Sequence, residues 1–283
     1  MKSSFLTLTV RRFFRNRMAV IGGSVLILLI IAAVAAPLLA PYDPKEMHPA
    51  DRLCAPSPLH PLGADQFGRD ILSRLLYGAR ISLRVGFMST GIALSLGLLL
   101  GLSAGYVGGW VDTIISRMLD IMFAFPFMLL AIAIMAVLGP SELNVIITIG
   151  IVYAPIFARI CRGSTLAAKE NEYIHAARLV GASDIRIATR HIMPNISAPI
   201  IVQATLSLAT AIIAEAALSF LGVGTPPPAP SWGEMVSRGR EVMELSPWGT
   251  IFPAVAIFIT VLSFNLLGDG LRDALDPMMR RAG

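Results

Sequence analysis

The sequence predicts an all-α protein, a polytopic membrane bundle of six transmembrane helices. Three observations carry that reading. Of the 283 residues 55% are hydrophobic, and the mean hydropathy is +0.71. Only 14% are charged, where a globular domain carries about a quarter. The apolar residues fall in runs of about 20, the length a helix needs to cross roughly 30 Å of hydrocarbon. A net charge of +5 and a pI near 9.6 would also fit a nucleic-acid binder. Here the basic residues sit at the ends of the apolar runs, where membrane orientation accounts for them. The bilayer is the expected partner, and nucleic acid is not.

The first expected span covers 18–39. "RRFFRNR" precedes it and "AVA" at 33–35 resembles a cleavage site, but the apolar core exceeds the 7–15 residues or so of a signal-peptide core. It reads as an uncleaved span. The segment after it opens with "PYDPKEMHPADRLCAPSPLHPLG", whose prolines predict an extended loop. The next stretch, "ADQFGRDILSRLLYGARISLRVG", places Leu72, Leu75, Leu76 and Ala79 on one helical face flanked by arginines. A helix lying on the outer membrane surface is expected there, an irregular capping loop being the alternative.

Span two, 87–106, carries Gly97, Gly101, Gly105 and Gly109 at intervals of four, with Ala93 extending the row. Small residues at that spacing form one ridge and let another backbone approach closely. The partner helix can belong to this chain or to a second subunit. Spans three to six are expected at 121–138, 143–160, 200–221 and 248–267. The fourth is the weakest, since Asn144 and Pro155 interrupt it.

Span five holds Glu215, the one acid well inside a span, and Gln203, Ser207 and Thr210 at i, i+4 and i+7. A carboxylate at that depth must be paired, protonated or wet. These four residues are candidates to line a hydrated pathway, or to hydrogen-bond between subunits. The loop after span five, "GVGTPPPAPSWGEM", predicts stiff polyproline II that either docks a partner or closes the bundle.

With an inner N-terminus, inner segments hold 15 and outer segments 8 of the 23 Lys and Arg residues. Both termini are therefore expected in the cytoplasm. Cys54 falls outside and Cys161 inside, so no disulfide is expected.

Catalytic signatures are missing. Gly101-Leu-Ser-Ala-Gly105 matches G-x-S-x-G, but Ser103 lies inside an apolar helix rather than on a strand-to-helix turn. No histidine or cysteine spacing suits zinc, and Lys2, Lys45 and Lys169 complete no Walker A loop. No enzyme activity, metal or cofactor is expected.

That leaves "EYIHAARLVGASDIRIATRHIMP", residues 172–194, the most polar stretch between two spans. Tyr173, Ala176, Ala177 and Val180 form a helical face starting near Glu172. Gly181 suits a left-handed helix end, and Ser183 an N-cap for a second helix with Ile185, Ala188 and Ile192 on one face. Pro194 closes the unit. The small apolar face suits insertion into another protein's groove.

This stretch resembles the EAA loop of binding-protein-dependent ABC importer permeases, which has two alanines, a glycine four residues after the second, and a late I-x-P. Ala176, Ala177, Gly181, Ile192 and Pro194 match, and His175 replaces the consensus glutamate. "HPLGADQFGRDILSRLLYGARISLRVG", "PIIVQATL", "SFLGVGTPPPAPSWGEM", "FNLLGDGLRDALDP" and "RNRMAVIG" look like the dipeptide/oligopeptide/nickel permease family.

The resemblance implies a type I ABC importer permease fold in the inner membrane. It implies an N-terminal region, 1–82, and a five-helix permease core, 83–283, with a coupling loop at 162–197. Its implied partners are a second homologous permease, two ABC ATPase subunits and a periplasmic or surface substrate-binding protein. Tyr173, His175, Ala176, Ala177, Gly181, Ile192 and Pro194 would make the ATPase contact. Di- or oligopeptides are the expected cargo, with nickel, glutathione, opines or oligosaccharides as alternatives. An ion-coupled carrier using Glu215, or a membrane scaffold that transports nothing, are the competing readings.

Overall fold

A computed structural model describes residues 13–275. Those residues are helical or irregular, and the helices run back and forth between two ends. One end, the cap end, holds residues 40–70 and the segment after the fifth span. The other, the loop end, holds the polar stretch 172–194.

Helix α1 (Arg17–Val34) begins where the Asn16 side chain accepts hydrogen bonds from the amides of Met18 and Ala19, at 3.1 and 3.2 Å. Its narrow buried face of Ala19, Gly22, Leu26 and Ala33 lets it lie close on the last helix. A Cβ at Gly22 would meet the Ser263 carbonyl at 2.8 Å. The opposite face, with Ile27, Leu28, Ile31 and Val34, is exposed.

Helix α2 (Ile71–Val107) departs from expectation. The surface helix and span two are one continuous helix of 37 residues, roughly 55 Å at 1.5 Å per residue. Asp70 caps it by accepting from the Ser73 amide at 2.7 Å, and no proline follows to break it. On that face Ala79 is buried and Leu72, Leu75 and Leu76 are half-buried; Leu75 and Ala79 pack in the cap-end core, where the Trp232 indole donates to the Leu75 carbonyl at 3.0 Å. The expected boundary at 82/83 falls inside this helix.

The third span is broken. α3 (Gly109–Ala124) and α4 (Phe127–Leu138) meet at 95°. Pro126 forces Phe125 into extended backbone (φ −94°, ψ 136°), which ends α3. Among the described residues five helices are long and apolar enough to cross a membrane, or six if this bent pair counts as one span.

α5 (Glu142–Lys169) is the central helix, with 56% of its apolar window buried. Neither interruption weakens it. The Asn144 amide donates to the carbonyls of Leu138 and Gly139, at 2.8 and 3.0 Å, tying down the preceding turn. Pro155 is absorbed within the helix. α6 (Glu172–Leu179) lies in the loop, and α7 (Ser197–Phe220) returns to the cap end. The proline run 226–230 makes a turn at 227–228 instead of continuous polyproline II. α8 (Trp232–Glu241) lies across the cap end, and α9 (Trp248–Leu275) crosses back. Asn16 donates to Asp273 at 3.2 Å, so the start of α1 and the end of α9 share the loop end.

Gly97, Gly101 and Gly105 press α2 onto α5. A Cβ at Gly97 would run into Phe157, one at Gly101 into the Ala158 carbonyl and Cys161, one at Gly105 into Thr165 at 2.8 Å. Ala93 extends this ridge, fully buried. Gly109 does not belong to it. It lies past the end of α2 with φ +56°, and a Cβ there meets nothing within 4 Å among the described residues.

Candidate functional site

The loop that joins α5 to α7 is built on isoleucines. Ile174, Ile187, Ile192 and Ile196 are buried with Cys161, Ala168 and Ile200, against Leu98 and Leu102 of α2. Full burial of one such side chain contributes about 1.5–3 kcal/mol, so the loop is fixed to the bundle. Gly181 turns the chain at φ +81°, in the left-handed region that favours glycine. Ser183 then accepts from the Arg186 amide at 3.4 Å, capping a helical turn over Asp184–Arg186. Residues 187–192 wind more loosely, as a π-helical turn closed by Met193 N donating to the Ala188 carbonyl at 2.9 Å. The looser winding lets Ile187 and Ile192 both reach the core. Ile185, expected beside Ile192, is instead 78% exposed.

The face expected to enter a groove is open. Tyr173, His175 and Ala176 are exposed, Ala177 is half-buried, and Gly181 and Pro194 are exposed. Leu179 and Val180 are 89% and 85% exposed. Ile192 turns inward and anchors the loop rather than offering a contact. Sequence periodicity missed that Ile174, between Tyr173 and His175, is the residue that pins α6. Its position off the small-residue face was the available signal.

The polar strip on α7 is real for three of its four members. The Gln203 amide donates to Ser207 Oγ at 3.1 Å, and the Thr210 hydroxyl donates to the Ser207 carbonyl at 3.1 Å, with Thr210 exposed. Glu215 lies apart: twelve positions beyond Gln203, it is turned about 120° around the helix at 3.6 residues per turn. Its side chain is fully buried inside the chain and accepts hydrogen bonds from Ser219 (2.8 Å) and Ser82 (3.4 Å). Ser82 Oγ in turn accepts from the Trp232 amide at 3.2 Å. Glu215 thus ties α7, α2 and α8 together and faces no opening.

A second polar cluster, at the cap end, escaped the sequence. Arg74, 2% exposed, donates to Glu234 at 2.8 Å and to the Pro44 carbonyl at 3.0 Å. Arg69 pairs with Asp65 at 2.7 Å. Burial pushes the Glu234 carboxyl above the usual carboxylate range, and the Arg74 charge opposes that shift. His60 bonds Asp70 at 2.9 Å. Arg69 and Arg74 were expected at a membrane surface, and they are internal ion-pair partners instead.

The described residues form a helical bundle with several helices apolar enough to cross a membrane and a packed loop with an open apolar face at one end. The chain belongs to the binding-protein-dependent transport system inner membrane component family, whose model matches residues 97–281. A second model, the N-terminal TM domain of oligopeptide transport permease C, matches residues 4–56. The chain is 50% identical to the dipeptide transport system permease protein DppC of Alkalihalophilus pseudofirmus over 266 residues, 94% of this chain and 88% of that one. It is 50% identical to the glutathione transport system permease protein GsiD of Escherichia coli over 271 residues, 95% and 89%. In fold it is similar to a chain of the inward-facing MetNI methionine ABC transporter, with a TM-score of 0.60 at 20% identity, covering 73% of this chain and 98% of that one. It is an ABC importer permease, a multi-pass membrane subunit.

Proposed function

We propose that this chain and a second homologous permease form the translocation pathway of an importer for di- and oligopeptides. A substrate-binding protein delivers the cargo at the cap end, and two ABC ATPases dock at the loop end. Both chain ends then lie in the cytoplasm, as the positive charges favour. The observation that carries the reading is the loop: Leu179, Val180 and Ile185 stand open on a segment whose other isoleucines are buried. Apolar side chains left exposed on a rigid element mark a protein contact. Tyr173, His175, Ala176 and Ala177 flank them and complete the contact.

Peptide cargo is supported by the two relatives above, because glutathione is itself a tripeptide. Gln203, Ser207 and Thr210 are the proposed pathway residues. Glu215 is assigned a pinning role, which removes the proton site an ion-coupled carrier needs.

Orientation is tested with single cysteines in a background lacking Cys54 and Cys161. Cys161 is fully buried and would resist a thiol reagent on either side, so the native pair does not discriminate. An impermeant maleimide on intact spheroplasts should label Leu59→Cys and spare Leu179→Cys, since both positions are well exposed. The opposite pattern overturns the orientation. Docking is tested with Ala177→Leu, whose added volume on a packed contact costs about 1–3 kcal/mol. Affinity-purified complexes should lose ATPase while keeping the second permease. Full retention with normal uptake of a dipeptide would contradict the assignment.

A further inference from the structure

The loop is joined to the bundle by more than its isoleucines. Tyr106, in the last turn of α2, donates its hydroxyl proton to Asp184 Oδ1 at 2.6 Å. Lys169, the last residue of α5, donates to the Tyr106 carbonyl at 2.9 Å. The Arg178 guanidinium of α6 stands 5.7 Å from the centre of the Tyr106 ring. One residue therefore meets the ends of two spans and both helical segments of the loop.

The far end of the same helix is also fastened. Arg74 holds Glu234 and Ser82 holds the Trp232 amide, so α2 is locked to α8 at the cap end. Between these points α2 carries no proline, and Gly97, Gly101 and Gly105 are pressed onto α5, while Gly86 faces Ile212 of α7. A continuous helix held at both ends moves as a unit. Displacing one end displaces the other.

We propose that the Tyr106–Asp184 hydrogen bond is the link through which α2 passes movement between the cap end and the coupling loop. Tyr106 is a positioning residue, acting on the ATPases only through the loop. The inference rests on the docking of ATPases at this loop proposed above. Packing of the isoleucines holds the loop in place but is non-directional. The hydrogen bond to a carboxylate fixes the loop's register against α2.

The test uses the complete complex in proteoliposomes, with ATP hydrolysis measured with and without the cognate binding protein carrying the cargo it purifies with. Tyr106→Phe removes the hydroxyl and leaves the ring over Arg178. Asp184→Ala removes the acceptor, and Asp184→Asn keeps an acceptor oxygen. The binding protein's stimulation of hydrolysis should fall about tenfold in Tyr106→Phe and in Asp184→Ala, the factor 1.4 kcal/mol corresponds to. Basal hydrolysis and ATPase retention should stay at wild-type levels, and Asp184→Asn should keep most of the stimulation. The double variant should be no worse than either single, as expected for two members of one interaction. Wild-type stimulation in Tyr106→Phe and Asp184→Ala overturns the link and leaves ATPase docking intact. Loss of the ATPases from both variants also overturns it, because the bond would then serve docking. Wild-type complexes that hold no ATPase would contradict the docking reading itself, before any variant is compared.

Discussion

The two ends of this bundle handle their side chains in opposite ways. At the cap end, ionisable groups are drawn into the chain and partnered there: Arg74 with Glu234, Arg69 with Asp65, and the His60 ring hydrogen-bonded to Asp70. At the loop end, apolar groups stand in the open: Leu179, Val180 and Ile185. Neither is the arrangement water alone would select. A buried ion pair specifies a fixed internal geometry, and an open apolar face specifies a missing neighbour. The cap-end pairs are made within one chain, and the open apolar face of the loop marks the place for a partner.

The contrast makes ordered predictions about stability. The largest effect belongs to Arg74→Ala, which leaves the buried Glu234 carboxylate with only the longer Arg238 contact at 3.8 Å. Removing one partner of a buried pair typically costs about 3–5 kcal/mol, and the purified subunit in detergent should show a sharply lowered melting temperature. Melting like wild type would mean the cap is wet and loosely held.

Gly101→Leu comes next. Its side chain would enter the Ala158 carbonyl and Cys161 on α5, so overpacking of about 1–3 kcal/mol falls on this chain itself. Gly163→Ala, where a Cβ meets nothing within 4 Å among the described residues, is the matched control and should melt like wild type. Equal behaviour of the two would place the ridge away from α5.

Gly181→Val is smaller and local. A β-branched residue forced to φ +81° costs about 1–2 kcal/mol, felt in the loop and not in the spans. Proteolysis between residues 170 and 196 should accelerate while global melting barely moves. Unchanged proteolysis would show that the turn tolerates a side chain.

Leu179→Ala should have the smallest effect on the isolated subunit, within about 0.5 kcal/mol as for other surface positions. Its ATPase retention should nevertheless fall. A large loss of melting temperature would mean Leu179 packs within the chain.

Much of this was legible in the sequence, and the failures have physical causes. Ser183 and Gly181 announce helix ends through local chemistry, and apolar runs locate the spans. The helical loop at 172–194 was readable because its turn, cap and small-residue face lie within 23 contiguous positions. Helix α2 was misjudged because its first turns look interfacial until α8, far along the chain, covers them. The Arg74–Glu234 pair spans 160 positions, and nothing near either residue signals the other. Pro126 was an overlooked local signal, since a proline after Phe125 disfavours a straight third span. Gly109 followed the spacing of the ridge, but spacing carries no meaning once the helix has ended at Val107. Glu215 was set beside a polar strip by proximity, when its angle around the helix already separated it.

The central claim is that the loop end is closed by ATPases and the cap end is not. It is tested most directly by cysteine protection in inside-out vesicles, with Leu179→Cys and Leu59→Cys each in a background lacking the native cysteines. The vesicles are made from cells with and without the ATPase subunits, and both faces are exposed to maleimide after mild permeabilisation. The account predicts that Leu179→Cys labels readily alone and is protected when the ATPases are present, while Leu59→Cys labels equally in both. Equal labelling of Leu179→Cys with and without ATPases would contradict it.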